Sequence, residues 1–339
     1  PCLSNPKVLE IVIKNAKKWI KQYPGGDIIS ITQNDNFDYC TCEKCSSVIS
    51  AEGSPSGPLL RFVNAVADAI KEEYPDILVD TFAYLYTQKA PKITVPRDNV
   101  VIRLCSIDCC FNHPLNDSDC PKNVEFCEDF KQWKRICDKI YIWDYTTNFR
   151  DYLASFPNLH TISPNLKYYA DNGVQSVFEQ GEYQGPSGEF GELKGYMIAK
   201  LLWNPYMSKD EFDYWVYDFL KGYYGSGWRY IKEYLDILDE ATEGMHITIF
   251  AKMRKFLVNL FGRTEELNAL WDKAEELAGD SIDHVQKSRL QLDYLMLIIP
   301  KPEDRRGTEW EARRDKFREQ MRKYKVRFSE QYDINQMSD

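Results

Sequence analysis

The chain has 339 residues, 43% of them hydrophobic, enough to bury a core as one large domain with a smaller one, or as two of ordinary size. Its net charge of -9 argues against a nucleic-acid partner, which would need a basic face. No apolar run reaches the length that a membrane-spanning helix requires.

Beginning at Pro1, without Met and without a signal peptide, the chain reads as a processed product or a fragment of something longer. Asn5-Pro6 is a helix start, a cap followed by proline, and Val8, Leu9, Val12, Ala16, Trp19 and Ile20 mark one apolar face up to Pro24. Ile28 to Thr32 is a β-branched run of strand length after the breaker Pro24-Gly25-Gly26. A Cys-rich loop is expected from Tyr39 to Pro58, then a helix through Leu59, Phe62, Val63, Val66, Ala69 and Ile70. The second strand, Ile77 to Tyr86, is almost continuously apolar, as expected when both faces are covered. The link from Tyr86 to Asp98 has two prolines and no helical period, so one crossover helix is missing. Asn99 to Cys105 is the third strand, a helix follows from about Val124 to Cys137, and Lys139 to Tyr145 is the fourth. Ser163-Pro164 caps a short helix ended by Gly173, and Val174 to Glu179 is the fifth strand.

From Glu189 onward the pattern is helical. Ser208-x-x-Glu211 is a capping box, and Phe212, Trp215, Val216, Phe219 and Leu220 form one stripe. The expected division is therefore a partial barrel over 1–188 and a helical region over 189–339. Alternation of strand and helix calls for parallel strands with helical crossovers. Both a (β/α) barrel and a doubly wound sheet gather ligands at strand C-termini. No glycine-rich phosphate loop follows any strand, which disfavours a nucleotide enzyme, and no cofactor is expected. No Gly-x-Ser-x-Gly elbow exists, and none of the four His has a nucleophile pattern beside it.

Each apolar run closes in acids, amides or aromatics: Asn34-Asp35-Asn36, Tyr84-x-Tyr86, Ser106-x-Asp108, Asp144-Tyr145, and Glu179-Gln180-Gly181-Glu182. Glycoside hydrolysis uses two carboxyl groups flanking the bond, or one that orients a 2-acetamido group whose oxygen attacks. Asp35 is the first catalytic candidate, with Glu179, Glu182 and Asp144 as possible partners. Asn34, Asn36, Tyr84, Tyr86, Trp143, Tyr145 and Tyr183 are candidates for holding sugar. Plainer readings stand beside these: Asn-Asp-Asn also suits a turn, Asp144 a loop cap, Glu179 an ion pair, and the aromatics packing.

The 10 Cys all lie in the first 137 residues. Their even number in a loop-rich half points to disulfides in an exported protein. The alternative, less favoured, is a structural zinc on Cys40, Cys42 and Cys45, with a fourth ligand from Cys109, Cys110 or His113. Cys127 and Cys137 fit a helix core.

Several runs resemble the bacterial domain-of-unknown-function family 4838, which corresponds to glycoside hydrolase family 163 of gut Bacteroides-type bacteria. They are Gln33-Asn34-Asp35-Asn36 with Tyr39-Cys40-x-Cys42-x-x-Cys45, then Glu52-Gly53-Ser54-Pro55-Ser56-Gly57, Trp143-Asp144-Tyr145-Thr146-Thr147-Asn148-Phe149, and Leu201-Leu202-Trp203-Asn204-Pro205. The resemblance covers about Cys2 to Leu238. It implies a (β/α)8 catalytic barrel with endo-β-N-acetylglucosaminidase activity on complex N-glycans, by a substrate-assisted route. It also implies an exported enzyme, periplasmic or at the cell surface. Related barrels often carry adjacent acids after the fourth strand, where this chain has the single acid Asp35. Family members carry further strands upstream, so the five strands here are expected to be the fourth to the eighth. The fold class expected is the C-terminal portion of a TIM-type barrel followed by helices, with the rest of the barrel upstream. The rival reading is a non-catalytic glycan-binding protein, or an inactive fragment of the hydrolase.

Overall fold

Asn5 and Pro6 open α1 (Pro6–Gln22) as their chemistry dictates: the Asn5 side chain accepts the Lys7 amide at 3.0 Å, and proline occupies a position that needs no amide. The structure is a computed structural model and describes residues 1–182, 188–300, 305 and 307–327. After α1 come β1 (Ile28–Ser30), α2 (Glu43–Glu52), α3 (Ser56–Lys71), β2 (Leu78–Ala83) and β3 (Val100–Cys105). They are followed by α4 (Pro121–Lys134), β4 (Ile140–Tyr145), α5 (Leu159–Asp171) and β5 (Ser176–Gln180). The strands form one sheet in the order β1-β2-β3-β4-β5, parallel across β1–β2, β2–β3 and β3–β4. This is an α/β half-barrel.

On the helical side of the sheet Val79, Ala83, Ile102, Leu104, Ile140 and Ile142 are fully buried, and Val63, Val66, Ala67 and Ile70 of α3 fill that side. On the other side Phe82, Arg103, Tyr141 and Trp143 are half-buried, and Phe178 is exposed. β2 is covered on both faces, as its sequence predicts, since the successive residues Val79, Asp80 and Thr81 are all buried; its concave face carries a ring and a charge. Arg103 pairs there with buried Asp80 and lies 5.5 Å from the centre of the Tyr141 ring.

Two helices depart from expectation. The stretch read as a Cys-rich loop contains α2, whose Cys and Ser residues hide its period; Gly53 ends it in the left-handed conformation, with its amide on the Ile49 carbonyl. The fifth helix begins at Leu159, so Pro164 lies inside it and does not open it. There it costs the bond to the His160 carbonyl.

The missing crossover helix is borne out. Between β2 and β3 runs only a short 3-10 turn, Leu85–Thr87, and then an extended link. A polar scaffold on α2 and α3 holds that link. Fully buried Glu52 accepts the amides of Ile93 (2.9 Å) and Thr94 (3.0 Å) and the Arg61 guanidinium (2.6 Å). Ser54 and Ser56 both donate to the Lys89 carbonyl, at 2.9 and 2.6 Å. Asn64 bridges the Val95 carbonyl (2.8 Å) and the Arg97 amide (3.0 Å). Gly57 has no alternative, since a Cβ there would lie 2.3 Å from the Glu52 side chain.

Among the described residues, every regular element after β5 is helical: α6 (Gly191–Trp203), α7 (Lys209–Tyr224), α8 (Trp228–Thr242), α9 (Arg254–Leu257), α10 (Thr264–Leu277), α11 (Ile282–Ile298) and α12 (Thr308–Tyr324). Ser208 caps α7 as its sequence predicts, accepting the Glu211 amide. Trp271 of α10 is buried against Tyr234 of α8, with ring centres 5.3 Å apart. Two compact units emerge. One comprises Pro1–Ser106, Val124–Asp144 and Tyr169–Phe178; the other comprises Ile107–Asn123, Tyr145–Tyr168 and Glu179–Asp339.

Burial alone would raise the Glu52 pKa, but the Thr94 hydroxyl and amide, the Ile93 amide and Arg61 outweigh it and hold the carboxyl at about 2. Its contribution is therefore complete above the unfolded value of 4.5 and is lost as the pH falls toward 2. Glu52→Gln is expected to lower stability at neutral pH by no more than about 3 kcal/mol. The gap from wild type should narrow as urea melts are repeated at successively lower pH, between about 5 and 2.

Candidate functional site

At the end of β1 the backbone leaves the sheet, with the Ile31 amide still on the Asp80 carbonyl (2.9 Å), and turns polar. Gln33 fixes this departure: its amide nitrogen donates to the Tyr84 carbonyl at 2.8 Å, and its carbonyl accepts the Thr87 hydroxyl. Asp35 then lies exposed, with one oxygen accepting the Tyr84 hydroxyl at 2.8 Å. Leu85 has φ 51, in the left-handed region, between the two tyrosines of the β2 tip. Tyr86 turns to Tyr39, with ring centres 5.0 Å apart. Burial pushes the Tyr86 hydroxyl pKa up, so it stays a neutral donor. Asn34, Asp38, Tyr39, Cys40 and Tyr86 line a cleft of about 330 Å³. Asn36 is occupied locally, its side chain accepting the Asp38 amide at 2.9 Å, as the turn reading expects.

Trp143 stands on the concave face in edge contact with Phe82 (5.4 Å) and Phe178 (4.8 Å). Neighbouring Asp144 points to the opposite side of β4. It is buried, and its oxygens accept the hydroxyls of Ser106 and Tyr169, the latter at 2.9 Å. Held this way, it ties β3, β4 and α5 together.

In the second unit Tyr145 is buried edge-on to Phe111 (6.3 Å) and Phe149 (5.8 Å), which makes it packing. Glu179 and Glu182 do come together, lining a cleft of about 250 Å³ with Thr146, Thr147, Glu189 and Lys194. Tyr183 lies outside the described residues.

Glu189 is the acid that sequence reading missed, having served there only as a boundary. It is buried and paired with Lys194, which also donates to the Phe156 carbonyl at 2.9 Å. Its surroundings are tightly built. A Cβ on Gly188 would lie 2.2 Å from the Tyr152 carbonyl oxygen, the Glu189 amide donates to that same oxygen at 3.0 Å, and Phe190 has φ 42. Burial raises the Glu189 pKa to about 6 despite the Lys194 charge. A carboxyl so placed holds its proton nearer neutral pH than an exposed one, as proton donors to leaving groups do.

Among the described residues, two groups of side chains could hold a metal. Cys40, Cys42 and Cys45 converge as expected, but the fourth member is Cys2. Cys110 and His113, expected as its fourth ligand, belong instead to a second group with Cys120 and His246. Cys2, Cys40, Cys42, Cys45, Cys110, Cys120 and Cys137 form no disulfide, against the expectation of a disulfide framework.

Parallel strands in consecutive order, with acids and rings at their C-terminal ends, define an α/β half-barrel with a polar rim. The chain belongs to the family described as "Domain of unknown function (DUF4838)", whose model matches residues 1–236. No curated protein matches it. One similar solved structure is a Family 89 Glycoside Hydrolase from Clostridium perfringens in complex with PUGNAc, at 11% identity and a TM-score of 0.37. The likeness covers 77% of this chain but 31% of that one, so the chain spans under a third of its length.

The Glu189–Lys194 pair makes a direct prediction. The Glu189 carboxyl carbon should titrate near 6 by NMR, assigned by its loss in Glu189→Gln. Lys194→Met removes the charge that favours the carboxylate and should move the midpoint higher still. Because this folded pKa exceeds the unfolded one, the group's contribution to stability is fully present below 4.5 and is lost as the pH rises through about 6.

Proposed function

We propose that the chain is the C-terminal part of a glycoside hydrolase acting on glycans with a 2-acetamido sugar, as an endo-β-N-acetylglucosaminidase of complex N-glycans does, in an exported bacterial protein. The observation that carries this reading is the Asp35–Tyr84 pair: an exposed carboxylate at a strand tip, bonded to a phenol, beside a cleft lined by amide and aromatic groups. A carboxylate there can accept the sugar's acetamido N–H and align its carbonyl oxygen for attack on the anomeric carbon. The Tyr84 hydroxyl can turn from Asp35 to that carbonyl. The leaving oxygen also needs a proton donor.

The half-exposed concave face supports a second element of the reading. Phe82, Arg103, Trp143 and Phe178 would be interior residues in a closed barrel. Both edges of a consecutive parallel sheet also present unpaired backbone groups. The active form therefore includes further strands that close the barrel.

The test is release of N-glycan from a glycoprotein by a form that contains those strands, read by mass spectrometry. Asp35→Asn should lower kcat about 10²- to 10⁴-fold, the usual contribution of a positioned acid or base. Tyr84→Phe should give a smaller loss. Retention of glycan by wild type with no turnover at any pH from 4 to 8 would establish the binding-protein reading instead.

A further inference from the structure

The two cysteine-containing groups point to a chemistry that the hydrolase reading does not use. Cys110 and Cys120 are buried, His113 is half-buried and His246 exposed, and their ligand atoms all lie within 4.8 Å of one another. Cys110 Sγ is 3.2 Å from His113 Nδ1, and Cys120 Sγ is 3.4 Å from His246 Nδ1. With zinc–sulfur and zinc–nitrogen bonds of about 2.3 and 2.05 Å, a tetrahedral site places sulfur about 3.5 Å from nitrogen. The two imidazoles stack at 4.6 Å, each with its Nδ1 beside a sulfur.

The backbone around this group is fixed from outside it. Buried Asn123 accepts the Cys110 amide (2.8 Å) and donates to the carbonyls of Cys110, His113 and Pro114. The Phe111 amide donates to the Ile247 carbonyl at 2.8 Å, and the Ile247 amide donates to Cys110 Sγ at 3.4 Å. Hydrogen bonds of this kind orient a thiolate ligand and temper its charge.

A different observation carries the other group. Cys2 Sγ is 3.7 Å from Cys42 Sγ and 3.8 Å from Cys45 Sγ. A disulfide would bring two sulfurs to about 2.05 Å. The edge of a tetrahedral zinc–thiolate site is about 3.8 Å, from the same 2.3 Å bond. Ser4 Oγ lies 3.1 Å from Cys45 Sγ as an outer donor. Cys42 is the N-cap of α2, where the helix end favours a thiolate.

We propose that the protein binds two structural zinc ions: one at Cys110, His113, Cys120 and His246, the other at Cys2, Cys40, Cys42 and Cys45. Tetrahedral sets of two sulfurs with two nitrogens, and of four sulfurs, suit zinc, with iron as the rival metal. Four protein ligands leave no open position, so both ions hold structure and do no chemistry. The first pins the 110–120 segment to the loop after α8. The second pins the N-terminus and α2 to the segment that carries Asn34 and Asp35.

The experiment is elemental analysis of the full chain purified under reducing, chelator-free conditions, with cobalt substitution as a second readout. Two zinc per chain are expected, and Cys120→Ser and Cys42→Ser should each lose one equivalent while keeping the other. The retained ion shows that the variant has folded. His246→Ala should lose one equivalent, whereas His246→Cys, which restores a ligand, should retain both. Cobalt should give thiolate charge-transfer bands for both sites in wild type, and for the four-sulfur site alone in Cys120→Ser. Less than half an equivalent of zinc, iron in its place, or disulfides among these cysteines by mass would overturn the proposal. An ion that persists in Cys120→Ser and His246→Ala, with only one bound in wild type, would overturn the mixed site.

Discussion

The buried carboxylate of Glu52 stands where a crossover helix would otherwise be. A parallel sheet needs long connections between neighbouring strands, and a helix normally satisfies its own backbone along the way. The link from β2 to β3 cannot do so, with prolines at 91 and 96 and no helical period. Its amides and carbonyls are met one at a time by Glu52, Ser54, Ser56 and Asn64 on the preceding helices. The tip of β2, with Tyr84 and Tyr86, begins this link, so the position of these two phenols depends on a buried carboxylate far earlier in the chain. The Glu52 to Gly57 run is thus architectural: acid, serines and glycine each serve the link or make room for it.

Much of the fold was legible because apolar period and breakers dominate it. Five strands, the helices that alternate with most of them, and the absent crossover follow from Ile28–Ile31, Val100–Leu104 and the two prolines after Tyr86. What failed was local. The second helix escaped because its Cys and Ser residues blur the period, although Glu43 and Gly53 were start and stop signals. Pro164 misled because proline inside a helix reads as a start.

Legibility of the site was more uneven. Asp35 could be found because a polar cluster follows a β-branched run. Asp144 sits in an equally polar tip, but strand alternation sends it inward, and a single sequence does not state which face is buried. Glu189 gave no signal, since its burial beside Tyr152 and Phe156, distant in sequence and near in space, comes from the fold, and only Lys194 is a near neighbour in the chain. The cysteine groups repeat this lesson. Cys40, Cys42 and Cys45 are adjacent enough to notice, while Cys2 and His246 reach their partners only through the fold.

The backbone at Leu85 divides the two phenols of the β2 tip. A left-handed backbone at a branched residue costs about 1–2 kcal/mol. Here it reverses the chain between two phenols, sending one toward Asp35 and the other toward Tyr39. A relaxed extended strand would have placed both rings on the same side, as residues two apart require. The kink therefore makes one aromatic pair into two differently aimed tools. Glycine at this position would ease the tension and also release the rings to wander.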